Sequence, residues 1–292
     1  MLRSRLTPYV YAAPLLLCIV AFVYWPLVYT FYLAVTKWNL VADAMPFVGT
    51  DNFRGVVTSS LFKDATVNTI LYIVLAIPLK VILPIPIAVF LWSMTPRVSG
   101  VYKMIIFLPV LTSFVAVSVI WAWLLNPLGG YFGAALRLVG LTMPNLLFDT
   151  WYALLTIMGV SAWKILGFNT LIYTAGLASI DQEYIAAMRM DGASDYQIFR
   201  HLIIPLLAPT TVFVLVTTVI FTVQQVFTPI DIMTQGGPSN ATTNLFYMVY
   251  QLAFRTFNIG YGAAATVILF VLLMIVTVLK FKLADRLAKY ES

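Results

Sequence analysis

The sequence predicts an all-α polytopic membrane protein, with six transmembrane helices and a helical loop on one face between the fourth and fifth. Three observations carry that expectation. The 292-residue chain is 62% hydrophobic and only 10% charged, with a mean hydropathy of +0.95; a soluble domain is roughly half apolar and a quarter charged. Its apolar runs reach about 20 residues or more, the length a helix needs to cross a bilayer. These runs do not alternate apolar with polar residues. In hydrocarbon every backbone polar group must pair internally, so they are helices and not barrel strands.

The elements follow in order. Arg3 and Arg5 precede a first span from about Tyr9 to Val35, too long and too aromatic for a cleaved signal. Its lone cysteine, Cys18, can form no intrachain disulfide. Residues 37–65 are polar and too short for a separate domain, so residues 1–292 read as a single transmembrane domain. The second span covers roughly Thr66 to Trp92, with Pro78, Pro84 and Pro86 breaking its helix, and the third runs from about Met104 to Leu125. Residues 126–149 read as a loop. The fourth span runs from about Thr150 to Leu177, the fifth from Thr210 to Ile232, and the sixth from Gly260 to Leu279.

Six spans place both termini on one side. The two ends, the 97–103 turn and the 179–209 loop hold Arg3, Arg5, Arg97, Lys103, Arg189, Arg200, Lys280, Lys282, Arg286 and Lys289. The opposite loops hold Lys37, Arg54, Lys63, Arg137 and Arg255. Ten basic residues against five put the termini and the 179–209 loop in the cytoplasm. The net charge of +6 is therefore that of span flanks beside membrane lipid, not of a nucleic-acid surface.

The 179–209 loop carries more punctuation than a connector needs. Ser179 with Gln182, and Ser194 with Gln197, read as capping boxes opening two short helices. Gly192 ends the first helix in a left-handed cap. Pro205 and Pro209 mark the turn into the fifth span. Two helices joined at a glycine make a knob, and Ala186 with Ala187 would let another surface approach closely.

Ala186-Ala187-Met188, Asp191-Gly192-Ala193 and Ile204-Pro205, thirteen positions after the glycine, resemble the EAA loop of ABC-importer permeases. These are the inner-membrane components of binding-protein-dependent transport. The sequence departs from the family where its Glu aligns with Ala186 and its last Ala with Met188; Glu183, three residues earlier, is the nearest acidic residue. Phe47-Val48-Gly49 with Asp51-Asn52-Phe53 resembles the first external loop of the carbohydrate and glycerol-phosphate subfamily. Thr234 to Thr243, with Gly236-Gly237-Pro238, resembles its Gly-Gly-Pro loop, and Trp163-Lys164 with Gly167-Phe168-Asn169 its fourth-span pattern. The resemblance covers nearly the whole chain.

No catalytic constellation or metal site is legible. The single His201 lies in the knob, and the Walker A pattern is absent, so ATP hydrolysis would belong to another chain. Ionisable residues inside spans are functional candidates. Lys164 is one, lining a cavity, held in a structural ion pair, or capping carbonyls near Gly167. Lys80 is the other, snorkelling or bonded to a carbonyl. Gln224 and Gln225 leave amides that need a solute hydroxyl or an interhelical partner.

The resemblance implies a permease subunit in a bacterial-type inner membrane, with a coupling helix between the fourth and fifth spans. Glu183, Tyr184, Ala186, Ala187, Met188, Asp191 and Gly192 would dock on the ATPase. Lys164, Asn169, Gln224 and Gln225 are the substrate-cavity candidates. It also implies a second homologous permease, two ATP-binding subunits that hold the ATP and Mg, and an external solute-binding protein. The solute would be a sugar, a polyol or a glycerol-phosphate-like compound. A self-contained secondary transporter would need paired carboxylates or internal repeats. A non-transporting scaffold would leave Lys164 and the glutamines without a purpose.

Overall fold

The computed structural model describes the backbone of residues 2–288 and the side chains of residues 9–275, 277 and 278. Side chains of the flanking Arg3, Arg5, Lys280, Lys282, Arg286 and Lys289 lie outside the described residues. In chain order the helices are α1 (Tyr9–Ala34), α2 (Asp51–Thr58), α3 (Ser60–Trp92), α4 (Pro96–Leu111), α5 (Phe114–Leu124) and α6 (Tyr131–Leu138). They continue with α7 (Thr150–Ala178), α8 (Gln182–Met190), α9 (Asp195–Ile198), α10 (Ala208–Thr234), α11 (Leu245–Tyr250) and α12 (Ile259–Ala288). Among the described residues the one strand-like feature is a bridge between Thr36 and Phe47. Four helices, α1, α3, α7 and α10, are each long and apolar enough to cross a bilayer. The α4–α5 pair makes a fifth if taken as one bent span, and Ile259–Ile275 is a shorter apolar helix. The protein is thus a helical, polytopic membrane protein.

The chain divides into two compact units. One comprises residues up to Lys63 with Met248–Thr277, and the other Asp64–Tyr247 with the C-terminal residues. In the first unit, α1 ends in a short extended turn where Val48 N–H donates to Val35 O at 2.8 Å and Lys37 N–H to Pro46 O at 3.0 Å. A helix end leaves orphan carbonyls. The buried Asn52 amide takes two of the carbonyls there, Ala34 O at 2.9 Å and Thr36 O at 2.8 Å. The Asp51-Asn52-Phe53 sequence therefore ties α2 to the end of α1.

In the second unit α7 is the central element. Asp149 caps its N-terminus by accepting from Trp151 N–H at 3.0 Å, and α7 packs against α3, α4 and α10. A side chain at Gly167 would collide with the Ile106 carbonyl and the Phe107 backbone. Only a glycine lets α7 and α4 approach that closely.

Three expectations are corrected. The third span is not one helix from Met104 to Leu125: α4 and α5 meet at 93°. Pro109 lies inside α4, Thr112 and Ser113 are extended, and Ser113 Oγ accepts from Ala116 N–H at 3.0 Å to restart the helix. Conversely, the prolines of the second span do not break it. Pro78 lies within a π-type turn over Ile77–Ile82, with Leu83 N–H reaching back to Pro78 O at 2.9 Å, and Pro84 and Pro86 fall in the first turn of the α-helical segment Pro84–Trp92 that follows. Residues 126–149 are not all loop, since they contain α6. That helix has only 8 residues, too few to stand out from its apolar surroundings.

Candidate functional site

The knob is built by local chemistry. Asp181, not Ser179, caps α8, accepting from Glu183 N–H at 3.0 Å. Ser179 instead closes α7, its hydroxyl donating to Gly176 O at 2.7 Å. At the other end of α8, Gly192 has φ +80°. Ala193 N–H donates to Met188 O at 3.0 Å and Gly192 N–H to Arg189 O at 3.1 Å. This pair of bonds is a Schellman motif, which requires the left-handed residue at its centre. The expected capping box of Ser194 and Gln197 is present and opens α9. Arg189 and Asp195 pair across the bend at 3.5 Å, but both are largely exposed, so the pair adds little.

The faces of the knob differ. Glu183, Tyr184, Ala186, Ala187 and Asp191 are exposed. Ile185 and Ile198 are buried, in one cluster with Val81, Ile85 and Ala88 of α3, Tyr173 and Leu177 of α7, and Val214 of α10. Met188, expected on the contact face, is half-buried and packs against this cluster, as does Ala193. The knob thus joins three spans through an apolar core and leaves a small-residue face open.

The four cavity candidates separate. Lys164 Nζ donates to three carbonyls at the end of α4: Pro109 at 3.0 Å, Val110 at 3.2 Å and Thr112 at 2.7 Å. Its ammonium also lies 4.7 Å from the centre of the Phe114 ring. Lys164 is a helix cap at the α4–α5 bend, with all three protons committed to backbone. Gln224 is exposed on α10. Asn169 and Gln225 come together, lining a small indentation of about 30 Å3 with Lys80, Phe168, Thr218 and Phe221. The Asn169 amide donates to Lys80 O at 2.6 Å and to Thr218 Oγ1 at 3.5 Å.

Lys80 neither snorkels nor finds a carbonyl. It is 1% exposed, and its ammonium donates to Ser161 Oγ at 2.9 Å and Thr222 Oγ1 at 3.4 Å. Ser161, Thr218 and Thr222 were not singled out from sequence, because single hydroxyls in an apolar run usually bond to their own helix.

The 234–244 segment is a loop held by hydrogen bonds to α3 and α10. Gln235, Gly236, Ser239 and Asn240 have positive φ, and Gly237–Pro238 is cis. Asn68 of α3 donates to Asn240 O at 2.8 Å and Thr243 O at 2.9 Å, and Tyr72 donates to Thr242 O at 3.1 Å. Asn244 reaches Val223 O of α10 at 2.7 Å. Thr242, Thr243 and Asn244 are fully buried. Asn68 and Tyr72 were not singled out from sequence, although polar side chains four apart share one face of an apolar helix.

The comparisons with known proteins agree with this architecture. Residues 55–289 match the family model for the binding-protein-dependent transport system inner membrane component. The chain is 30% identical over 289 residues to the sn-glycerol-3-phosphate transport system permease protein UgpA of Pectobacterium atrosepticum, covering 99% of this chain and 97% of that one. It is 30% identical to a probable ABC transporter permease of Pyrococcus horikoshii, with 94% and 95% covered. The fold resembles a chain of a bacterial ABC transporter that imports the acidic polysaccharide alginate, with TM-score 0.85 at 20% identity and 97% and 96% covered. The chain therefore belongs to the binding-protein-dependent transport system inner membrane component family and is the inner-membrane permease of an ABC importer.

Proposed function

We propose that this permease carries a sugar, polyol or glycerol-phosphate-like solute and is driven by a separate ATPase through its 179–209 loop. The observation that supports this best is the knob: an exposed face of Tyr184, Ala186 and Ala187, anchored by Ile185 and Ile198 to the cores of α3, α7 and α10. A subunit docked there would push on three spans at once. The α4–α5 pair counts as one span and α12 as the last, giving six with both termini cytoplasmic. Gly192 shapes the knob, and Asn169, Gln224 and Gln225 face the translocation path. The working assembly is this chain with a second, homologous permease, two ATP-binding subunits holding ATP and Mg, and an external solute-binding protein. The solute class follows from likeness to the glycerol-3-phosphate permeases.

Co-purification from native membranes tests the assembly. An ATP-binding subunit and a second permease in the complex are the expected result. A lone chain, or a homodimer with no ATPase, would overturn the proposal.

A further inference from the structure

The two intramembrane lysines are not equivalent. Lys164 has three carbonyl acceptors for three protons. Lys80 has two acceptors, both neutral hydroxyls, which leaves one N–H uncommitted. Among the described residues no carboxylate pairs with it. A buried charge is costly unless it is paired, and an intramembrane lysine without a counter-charge is a functional candidate. The two side chains bonded to this ammonium, Ser161 of α7 and Thr222 of α10, are both neutral, as are the α7 and α10 residues that line the indentation beside Lys80.

Lys80, although 1% exposed, also borders a small indentation. It lines the indentation together with Asn169, Thr218 and Gln225, between Phe168 and Phe221. Its volume of about 30 Å3 admits one or two water-sized atoms. A whole solute does not fit, but one substituent oxygen does.

We propose that Lys80, with Gln225 beside it and its backbone held by the Asn169 amide, forms a subsite for an anionic substituent of the transported solute: a phosphate monoester or carboxylate whose oxygen completes the ammonium's coordination. This inference rests on the importer reading and narrows it to anionic solutes. The aromatic rings of Phe168 and Phe221 would cover the carbon skeleton while the charged end reaches Lys80.

The test uses the intact complex, with its ATPase and binding protein, in proteoliposomes. Radiolabelled sn-glycerol-3-phosphate is the anionic probe and glycerol the neutral one. The wild type is expected to take up the phosphate at least tenfold faster than glycerol. Lys80→Gln and Lys80→Met should collapse that ratio tenfold or more, and Lys80→Arg should retain most of it. A purely structural lysine would alter the amount of assembled complex without altering the ratio. Lys80→Gln keeps partners for Ser161 and Thr222, so it remains informative if the methionine variant fails to assemble. A wild type with no preference for the phosphate, or a glutamine variant that keeps the preference, overturns the subsite and leaves the importer reading standing. A complex without an ATPase overturns that reading instead.

Discussion

Gly192 offers the sharpest test of the knob. Its φ of +80° lies in the left-handed region, and a Cβ built there meets nothing within 4 Å. A substitution therefore costs backbone energy alone. For an L-residue that is about 1–2 kcal/mol, and a β-branched side chain is the least tolerant. One to two kcal/mol corresponds to a factor of about 5–30 in an equilibrium. Here the equilibrium lies between the Schellman-capped α8–α9 bend and one with the bonds from Gly192 to Arg189 and Ala193 to Met188 broken. Asparagine tolerates the left-handed conformation better than other L-residues. The expected order is Gly192→Asn near wild type, Gly192→Ala reduced, and Gly192→Val most reduced. The quantity to measure is solute taken up per ATP hydrolysed, in proteoliposomes holding the co-purified complex. Equal ratios across the series, or an asparagine variant as damaged as the valine one, would refute the claim that this bend transmits motion.

Ile185→Ala removes a buried anchor while leaving Tyr184, Ala186 and Ala187 in place. Loss of about 2–4 kcal/mol of packing should lower uptake per ATP while the ATPase still co-purifies; unchanged coupling would count against the anchor. Lys164→Met strips Val110 O and Thr112 O of their donor at the α4–α5 bend, whereas Pro109 O keeps the Thr112 hydroxyl and N–H. A fully buried unsatisfied group costs about 1–3 kcal/mol and these bonds are part-buried, so the purified complex should melt somewhat earlier, and an unaltered melting temperature would rule out the cap. Asn68→Leu removes both bonds to the 234–244 segment. Limited proteolysis should then cut that segment faster than in the wild type, and equal cutting rates would show that Tyr72 and Asn244 hold it without Asn68.

Much was settled by sequence alone, and for physical reasons that act locally. Hydrocarbon solvent forces long apolar runs into helices, so α1, α7 and α10 fall within two residues of their expected bounds, while α3 ends where expected and starts earlier, at Ser60. The Gly192 bend and the Ser194 cap are short-range backbone chemistry and were equally legible. What needed tertiary structure was the choice among partners that are distant in sequence. Lys164 and Lys80 look alike in the chain: each is a lysine in an apolar helix. Three carbonyls at the break around Thr112 and Ser113 turn the first into a cap, whereas Ser161 and Thr222 leave the second with a free donor. The prolines of α3 were expected to break it and do not, because Pro78 lies in a wider turn and Pro84 and Pro86 in the first turn of the helical segment after it. The opposite happens at Pro109, where Ser113 restarts the helix in a new direction. A polar group in a membrane must find a partner, and the sequence says so. Which partner it finds is decided by the packing of α3, α7 and α10, and with it whether that group holds the fold together or remains available to a solute.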